Sequence, residues 1–270
     1  MRHRFLRPIL PAACAVLAWL AAAGPAASTA WNYIYSYPPV ADFRTLAVDV
    51  TISPGLKQGD SVYIAPFRGT LGDSIFYFGL QTDLHQSATG RTVGKGIVFS
   101  RWGAVTADDA RPVAGGWSEA QTHAESREGD FTGVRLPYAW TSGRYTFRME
   151  SRIASPLPGQ WLDLSMHDHQ SGRRVEIGSL RFPAPPPARL AGDPASFVEF
   201  YATLPRPPDR PGYVMLPTFD VTFTPPRVNG AITPIAGSVH SPRRVKSLGR
   251  VTTAPDGQVK MAIGGSAPAE

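Results

Sequence analysis

Apolar residues alternate with polar ones through most of the chain after residue 30, and no long segment of 3.6-residue period competes with them. Leu46, Val48, Val50 and Ile52 mark the first clear strand. Tyr145, Phe147 and Met149 repeat the pattern in GRYTFRME, as do Val175 and Ile177 in RRVEIGSLRF, and Phe219, Val221 and Phe223 in TFDVTF. Successive side chains of a strand point to opposite faces, so each segment offers one face to a core and the other to solvent or a ligand. Short segments of this kind predict an all-β chain: an antiparallel β-sandwich of jelly-roll or concanavalin-like type.

Residues 1–30 read as a signal peptide. Arg2, Arg4 and Arg7 precede an apolar run from about Pro11 to Ala23, and Ser28-Thr29-Ala30 places small residues before a cleavage at Trp31. The run is too short for a membrane span, so the mature chain is expected to be secreted or extracytoplasmic, with no span of its own. Cys14 lies inside this segment. The Pro-Ala-Ala-Cys sequence there loosely resembles a lipoprotein signal, but processing at Cys14 would leave AVLAWLAAAG on the mature chain, and an ordinary apolar-region cysteine is the better reading. The remainder is cysteine-free and must draw its stability from its core.

Residues 31–225 are expected to form a single β-sandwich domain, long enough to bury a substantial interior. Of the 27 prolines, 16 lie at or after position 183, in segments such as PAPPPARL and LPRPPDRPG, which predicts Pro-rich loops in the C-terminal third. SFVEFYATL, GYVMLP and FDVTFTPP are then separate late strands, and residues 226–270 a Pro/Gly-rich, partly disordered segment. Without the three N-terminal arginines the formal net charge falls from +6 to +3, with a basic cluster only at Arg243-Arg244-Lys246. That argues against nucleic acid as a partner.

Candidate chemistry concentrates between Ile75 and Trp140. In IFYFGLQTDL, Phe76, Phe78 and Leu80 form a core face, while Tyr77, Gly79 and Gln81 share the other, available to a ligand, a second buried face or a bulge. In GIVFSRWG, Val98, Ser100 and Trp102 oppose Ile97, Phe99 and Arg101. Arg101 needs a carboxylate, with Asp83 or Asp130 as candidate partners, or else a sugar hydroxyl or uronate. Trp117, in the Gly-rich stretch VAGGWSEAQTH, is a candidate platform for a sugar ring, whereas Trp140 and Trp161 suit a core equally well. Glu125, Glu128 and Asp130 beside His123 superficially fit general acid/base work on a glycosidic bond, a calcium loop, or a solvated acidic loop. His167 and His169 share a strand face that would suit zinc, but Asp168 with Gln170-Ser171-Gly172 reads better as a turn. No metal and no cofactor are expected, and no Gly-x-Ser-x-Gly elbow, phosphate loop or dinucleotide fingerprint occurs.

YFGLQTDL, GIVFSRWG and EGDFTGVRLPYAWTSGRYTF, followed by IGSLRFP and SFVEF, resemble secreted bacterial and fungal proteins grouped as domain-of-unknown-function family 3472, over roughly residues 60–202. The resemblance implies an extracellular β-sandwich, sometimes appended to carbohydrate-related modules, and carries over no catalytic residue. It marks Gln81, Ser100, Arg101, Trp102, Glu128, Gly129, Tyr138 and Trp140 as matched positions. Two readings follow. One is a non-catalytic module binding extracellular polysaccharide or cell-wall glycan through Tyr77, Gln81, Arg101, Trp102 and Trp117, with Glu128 and Asp130 as further ligand candidates. The other is a polysaccharide hydrolase or lyase using Glu125, Glu128 or Asp130 with His123. The first is favoured, because no catalytic constellation assembles from the sequence; a purely structural envelope protein is the blander third option.

Overall fold

The computed structural model describes residues 29–103, 106–122, 129–152, 159–183, 188–243 and 245–268. The strands are Thr29–Ser36 (β1), Thr45–Ser53 (β2), Val62–Leu71 (β3), Ser74–Gln86 (β4), Arg91–Trp102 (β5), Ala110–Pro112 (β6), Trp117–Gln121 (β7), Phe131–Pro137 (β8) and Gly143–Arg152 (β9). Gln160–Asp168 (β10), Arg173–Phe182 (β11), Leu190–Phe200 (β12), Tyr213–Phe223 (β13), Arg227–Val228 (β14), Ala236–His240 (β15), Gly249–Thr253 (β16) and Val259–Pro268 (β17) complete them. All the pairings are antiparallel, and they form two sheets. The first runs β15-β1-β12-β3-β4-β5-β8-β7; the second runs β16-β17-β13-β2-β9-β10-β11-β6, with β14 also on β2. The architecture is an all-β antiparallel sandwich of jelly-roll-like form, as the alternation predicts.

The inner faces interdigitate. Phe78 of the first sheet meets Phe147 of the second with ring centroids 5.4 Å apart, and Phe76 meets Phe182 edge-on at 5.5 Å. Leu46, Val48, Val50 and Ile52 all point into this core, as do Tyr145, Phe147 and Met149. Burial of so many large side chains, each contributing roughly 1.5–3 kcal/mol, does the work that disulfides do in smaller exported domains. The indoles of Trp31, Trp140 and Trp161 are buried, leaving Trp102 and Trp117 half-buried.

One expectation about the C-terminal third is corrected. GYVMLP and FDVTFTPP are one strand, β13, whose ladder to β17 shifts register between Leu216 and Phe219, where Pro217 sits. Pro66 in β3 and Pro194 in β12 likewise fall at register irregularities, so these prolines enter interior strands at the points where a ladder bond is already missing. Within residues 226–268, β15 completes one edge of the first sheet, while β17 lies between β13 and β16 in the second. The loop LPRPPDRPG joins β12 to β13 as expected for its composition. β1 already begins at Thr29, two residues before Trp31.

Candidate functional site

The outer face of the first sheet departs from the usual solvated pattern. Tyr63, Ala65, Leu84, Val98 and Phe197 form a second apolar cluster there, with Tyr77, Trp117 and Tyr201 packed against it. Strand parity puts these residues on one side: Tyr63 is flanked in β3 by Val62 and Ile64, both in the main core. Directly opposed residues of neighbouring strands share a face. One such row crosses three strands, Glu199 on β12 facing Tyr63 on β3, which faces Gln81 on β4. Ala30 on β1 and Gly96 on β5 extend it at either end.

The row holds a carboxylate and a carboxamide two strands apart. At roughly 4.8 Å per inter-strand step their Cα atoms are roughly 10 Å apart, with the Tyr63 ring between their bases. Tyr63 is buried, whereas Glu199 and Gln81 are half-buried. Gln81 is held at its backbone carbonyl, which accepts from Trp140 Nε1 at 3.1 Å, and the Tyr201 hydroxyl lies near its side chain. Burial pushes the Tyr201 phenol up to about 12, so it keeps its proton. Thr82 and Asp83 anchor the same corner. Asp83 accepts from the Gly59 and Ser61 amides at 2.7 and 3.0 Å and from Thr82 Oγ1 at 2.7 Å.

Beside the row lies an aromatic floor. Tyr77 sits 5.0 Å from Tyr63, 5.9 Å from Phe197 and 4.7 Å from Trp102, whose ring is 6.2 Å from Phe131. At the far edge Arg135 donates to Ser100 Oγ at 2.9 Å and faces Glu119 at 3.6 Å. Glu119 also accepts from Trp117 Nε1 at 3.2 Å and from the Ser87 amide at 3.0 Å.

The structure thus brings together Tyr77, Gln81, Trp102 and Trp117 and separates Arg101 from them. Arg101 points into the sandwich, fully buried in an ion pair with Asp109, which also binds Arg181 at 2.5 Å. Its partner is therefore neither Asp83 nor Asp130, and no ligand reaches it. Trp117 opens the edge strand β7 instead of sitting in a loop. Gly79 leaves no space for a ligand: a Cβ there would lie 2.0 Å from the Ile64 carbonyl oxygen, because the bulge of β3 crowds it. Asp130 is exposed in the bend before β8, while His123, Glu125 and Glu128 lie outside the described residues. His167 and His169 stack at 4.5 Å on the other sheet, and Asp168 closes the expected turn by accepting from the Gln170 and Ser171 amides. Among the described residues no group of three or more His, Cys, Asp or Glu is arranged to hold a metal, and no helix is long and apolar enough to cross a membrane.

Glu199, Tyr63, Phe197, Glu119 and Arg135 escaped sequence reasoning. The signal for Glu199 was present in SFVEF, where parity ties it to Phe197 and sets it against Val198 and Phe200.

No family model matches the chain, and no curated protein matches it. Among solved structures it is similar to Scytalido-glutamic peptidase with a peptide-based transition-state analog, at 11% identity and TM-score 0.47, covering 87% of this chain and 98% of that one. A second structure of that peptidase with a transition-state analog inhibitor gives 12% identity and TM-score 0.45 over the same shares. SCP-B, a member of the Eqolisin family of peptidases, in complex with the tripeptide Ala-Ile-His, gives 12% identity and TM-score 0.41, again over 87% and 98%. These findings correct the expected membership of family 3472, for which no model matches. They lend nothing to the non-catalytic, glycan-binding reading and its polysaccharide partner, which the geometry of the face corrects. The aromatics on which that reading leaned are occupied with one another and with Glu119.

Proposed function

We propose that this chain is a hydrolase of amide bonds that acts on extended peptide, with Glu199 as the general base and acid and Gln81 as the donor to the developing oxyanion. The observation that carries the reading is the row Glu199–Tyr63–Gln81 on the outer face of the first sheet. Acyl transfer to water needs one group that takes and returns a proton and another that donates hydrogen bonds where charge develops. An ionised carboxylate only accepts, while a carboxamide nitrogen has two protons to donate, so the two side chains divide these tasks between them. A glycosidase, by contrast, needs two carboxyl groups across one bond. Glu119, a further carboxylate of this face, is engaged by Arg135, Trp117 and Ser87.

In the proposed reaction Glu199 removes a proton from water, and the resulting oxygen attacks the carbonyl carbon. The carbonyl oxygen takes the electron pair and is met by Gln81 Nε2, beside the Tyr201 hydroxyl. Glu199 then returns the proton to the amide nitrogen, the C–N bond breaks, and a carboxylic acid and an amine leave. Tyr63, between the two groups, supplies the apolar base against which the peptide backbone lies. The N-terminal arginines and the apolar run behind them support a place of action outside the cytoplasm.

The test is digestion of a mixed peptide library by the mature protein between pH 3 and 8, read by mass spectrometry. Cleavage that falls at least a hundredfold in both Glu199→Gln and Gln81→Ala is the expected result. Absence of cleavage by the wild type at every pH, or full activity in either variant, refutes the assignment.

A further inference from the structure

Arg68 is a cation that the proposed reaction does not use, yet it stands on the same face. It faces Tyr77 on β4 and Ala195 on β12 in register, and its neighbour Phe67 points the opposite way into the core. The residue is half-buried, and burial holds its guanidinium below its ordinary value, with attraction from Asp193 opposing. Among the described residues nothing hydrogen-bonds or ion-pairs with it, and Asp193 acts through Coulomb attraction alone. The face's other arginine, Arg135, is by contrast engaged by Ser100, Phe99, Val134 and Glu119.

A partly desolvated guanidinium carries five donors in a planar fork, and leaving them unmet is costly. A carboxylate on an incoming chain meets that fork with two parallel bonds. The position fits a substrate. Tyr77, the residue beside Arg68, is four residues along β4 from Gln81, roughly 13 Å at 3.3 Å per residue, a span that about four residues of extended peptide cover. Aromatic side chains of Tyr63, Phe197 and Tyr77 pave the interval, with Tyr63 and Tyr77 5.0 Å apart.

We infer that Arg68 is a specificity-determining residue, which binds a carboxylate of the peptide about four residues from the cleaved bond, from either an acidic side chain or the chain terminus. The inference rests on the amide-hydrolase reading for the meaning of that distance, but the recognition itself is measurable without turnover.

Three octapeptides of otherwise identical sequence serve as probes: one with Glu four residues from the cleavage site and an amidated C-terminus, one with Gln there and a free terminal carboxylate at that distance, and one with neither charge. Both kcat/KM and the dissociation constant, the latter by fluorescence anisotropy, are measured for the wild type and for Arg68→Gln, whose folding near-UV circular dichroism confirms. At least one charged peptide is expected to be favoured by roughly tenfold or more over the neutral one in the wild type, and by less than about twofold in Arg68→Gln. Which charged peptide gains identifies the source of the carboxylate. Equal affinity and equal turnover for all three in the wild type, or a preference that survives Arg68→Gln, overturns the inference. Should no peptide be cleaved, the hydrolase reading fails, while the ratio of dissociation constants still decides the role of Arg68.

Discussion

The outer faces of the two sheets are built from the same alternation and put to opposite uses. On the second sheet, Arg144 with Asp49, Arg148 with Glu150, Arg152 with Asp163, Arg174 with Glu176 and Lys260 with Asp220 form a lattice of exposed ion pairs. The cations there are each more than half exposed, so such pairs contribute little and mainly keep the face wet. On the first sheet the corresponding positions carry Tyr63, Tyr77, Phe197, Trp102 and Trp117. Tyr63 and Phe197 are buried there, and Tyr77, Trp102 and Trp117 are half-buried. They lie around one carboxylate and one carboxamide, Glu199 and Gln81.

The sharpest way to break this contrast is to neutralise a carboxylate on each face. Glu199→Gln should lower peptide cleavage by roughly two to four orders of magnitude, while Asp49→Asn on the opposite face changes it by less than about twofold. Equal losses would mean that the two faces do not differ in function. Between the faces, Asp109 joins Arg101 of β5 to Arg181 of β11. Asp109→Ala leaves a buried guanidinium without its carboxylate and should cost about 3–5 kcal/mol in urea unfolding, more than any single ion pair of the exposed lattice.

A milder test uses alkali. Burial raises the phenols of Tyr35 and Tyr37 well above their ordinary value and that of Tyr201 to about 12. A phenol raised on folding adds stability that is fully present below pH 10 and is lost as pH climbs through the raised value. Unfolding free energy should therefore decline between about pH 10 and 12, and the decline should be shallower in Tyr201→Phe. A pH-independent free energy over that range would contradict the burial of these phenols. The smallest effect is expected for the pair Arg148 and Glu150, where a double-mutant cycle should give a coupling below about 1 kcal/mol. A larger value would mean that the lattice on the second sheet is more than a wetted surface.

Much of the fold was legible because parity is a local property. Phe76, Phe78 and Leu80 could be assigned to the core, and Tyr77 and Gln81 to the other face, from ten consecutive residues. Gln81 was thereby marked, but its partner was not, since Glu199 lies 118 positions away and reaches it only through two strand registers that share Tyr63. Nothing in SFVEF announces which strand it will join. Arg101 misled for a related reason: parity placed it correctly on the inner side, but its carboxylate came from Asp109, in a short turn next to β6. Trp117 looked like a free platform because two glycines precede it. Those glycines lead into an edge strand, where Glu119 fixes the indole.

The interior position of β17 bears on the order of events during folding. Residues 259–268 fill the gap between β13 and β16, and β1 finds its neighbours in residues 195–200 and 236–240. β1 joins the first sheet only once β12 is made, and β16 joins the second only through β17, so some segments wait for distant partners and closure is expected to be slow. A chain ordered in this way stays open while it is being made, with its apolar faces unjoined. That is the state in which unjoined apolar faces are most open to association with other chains.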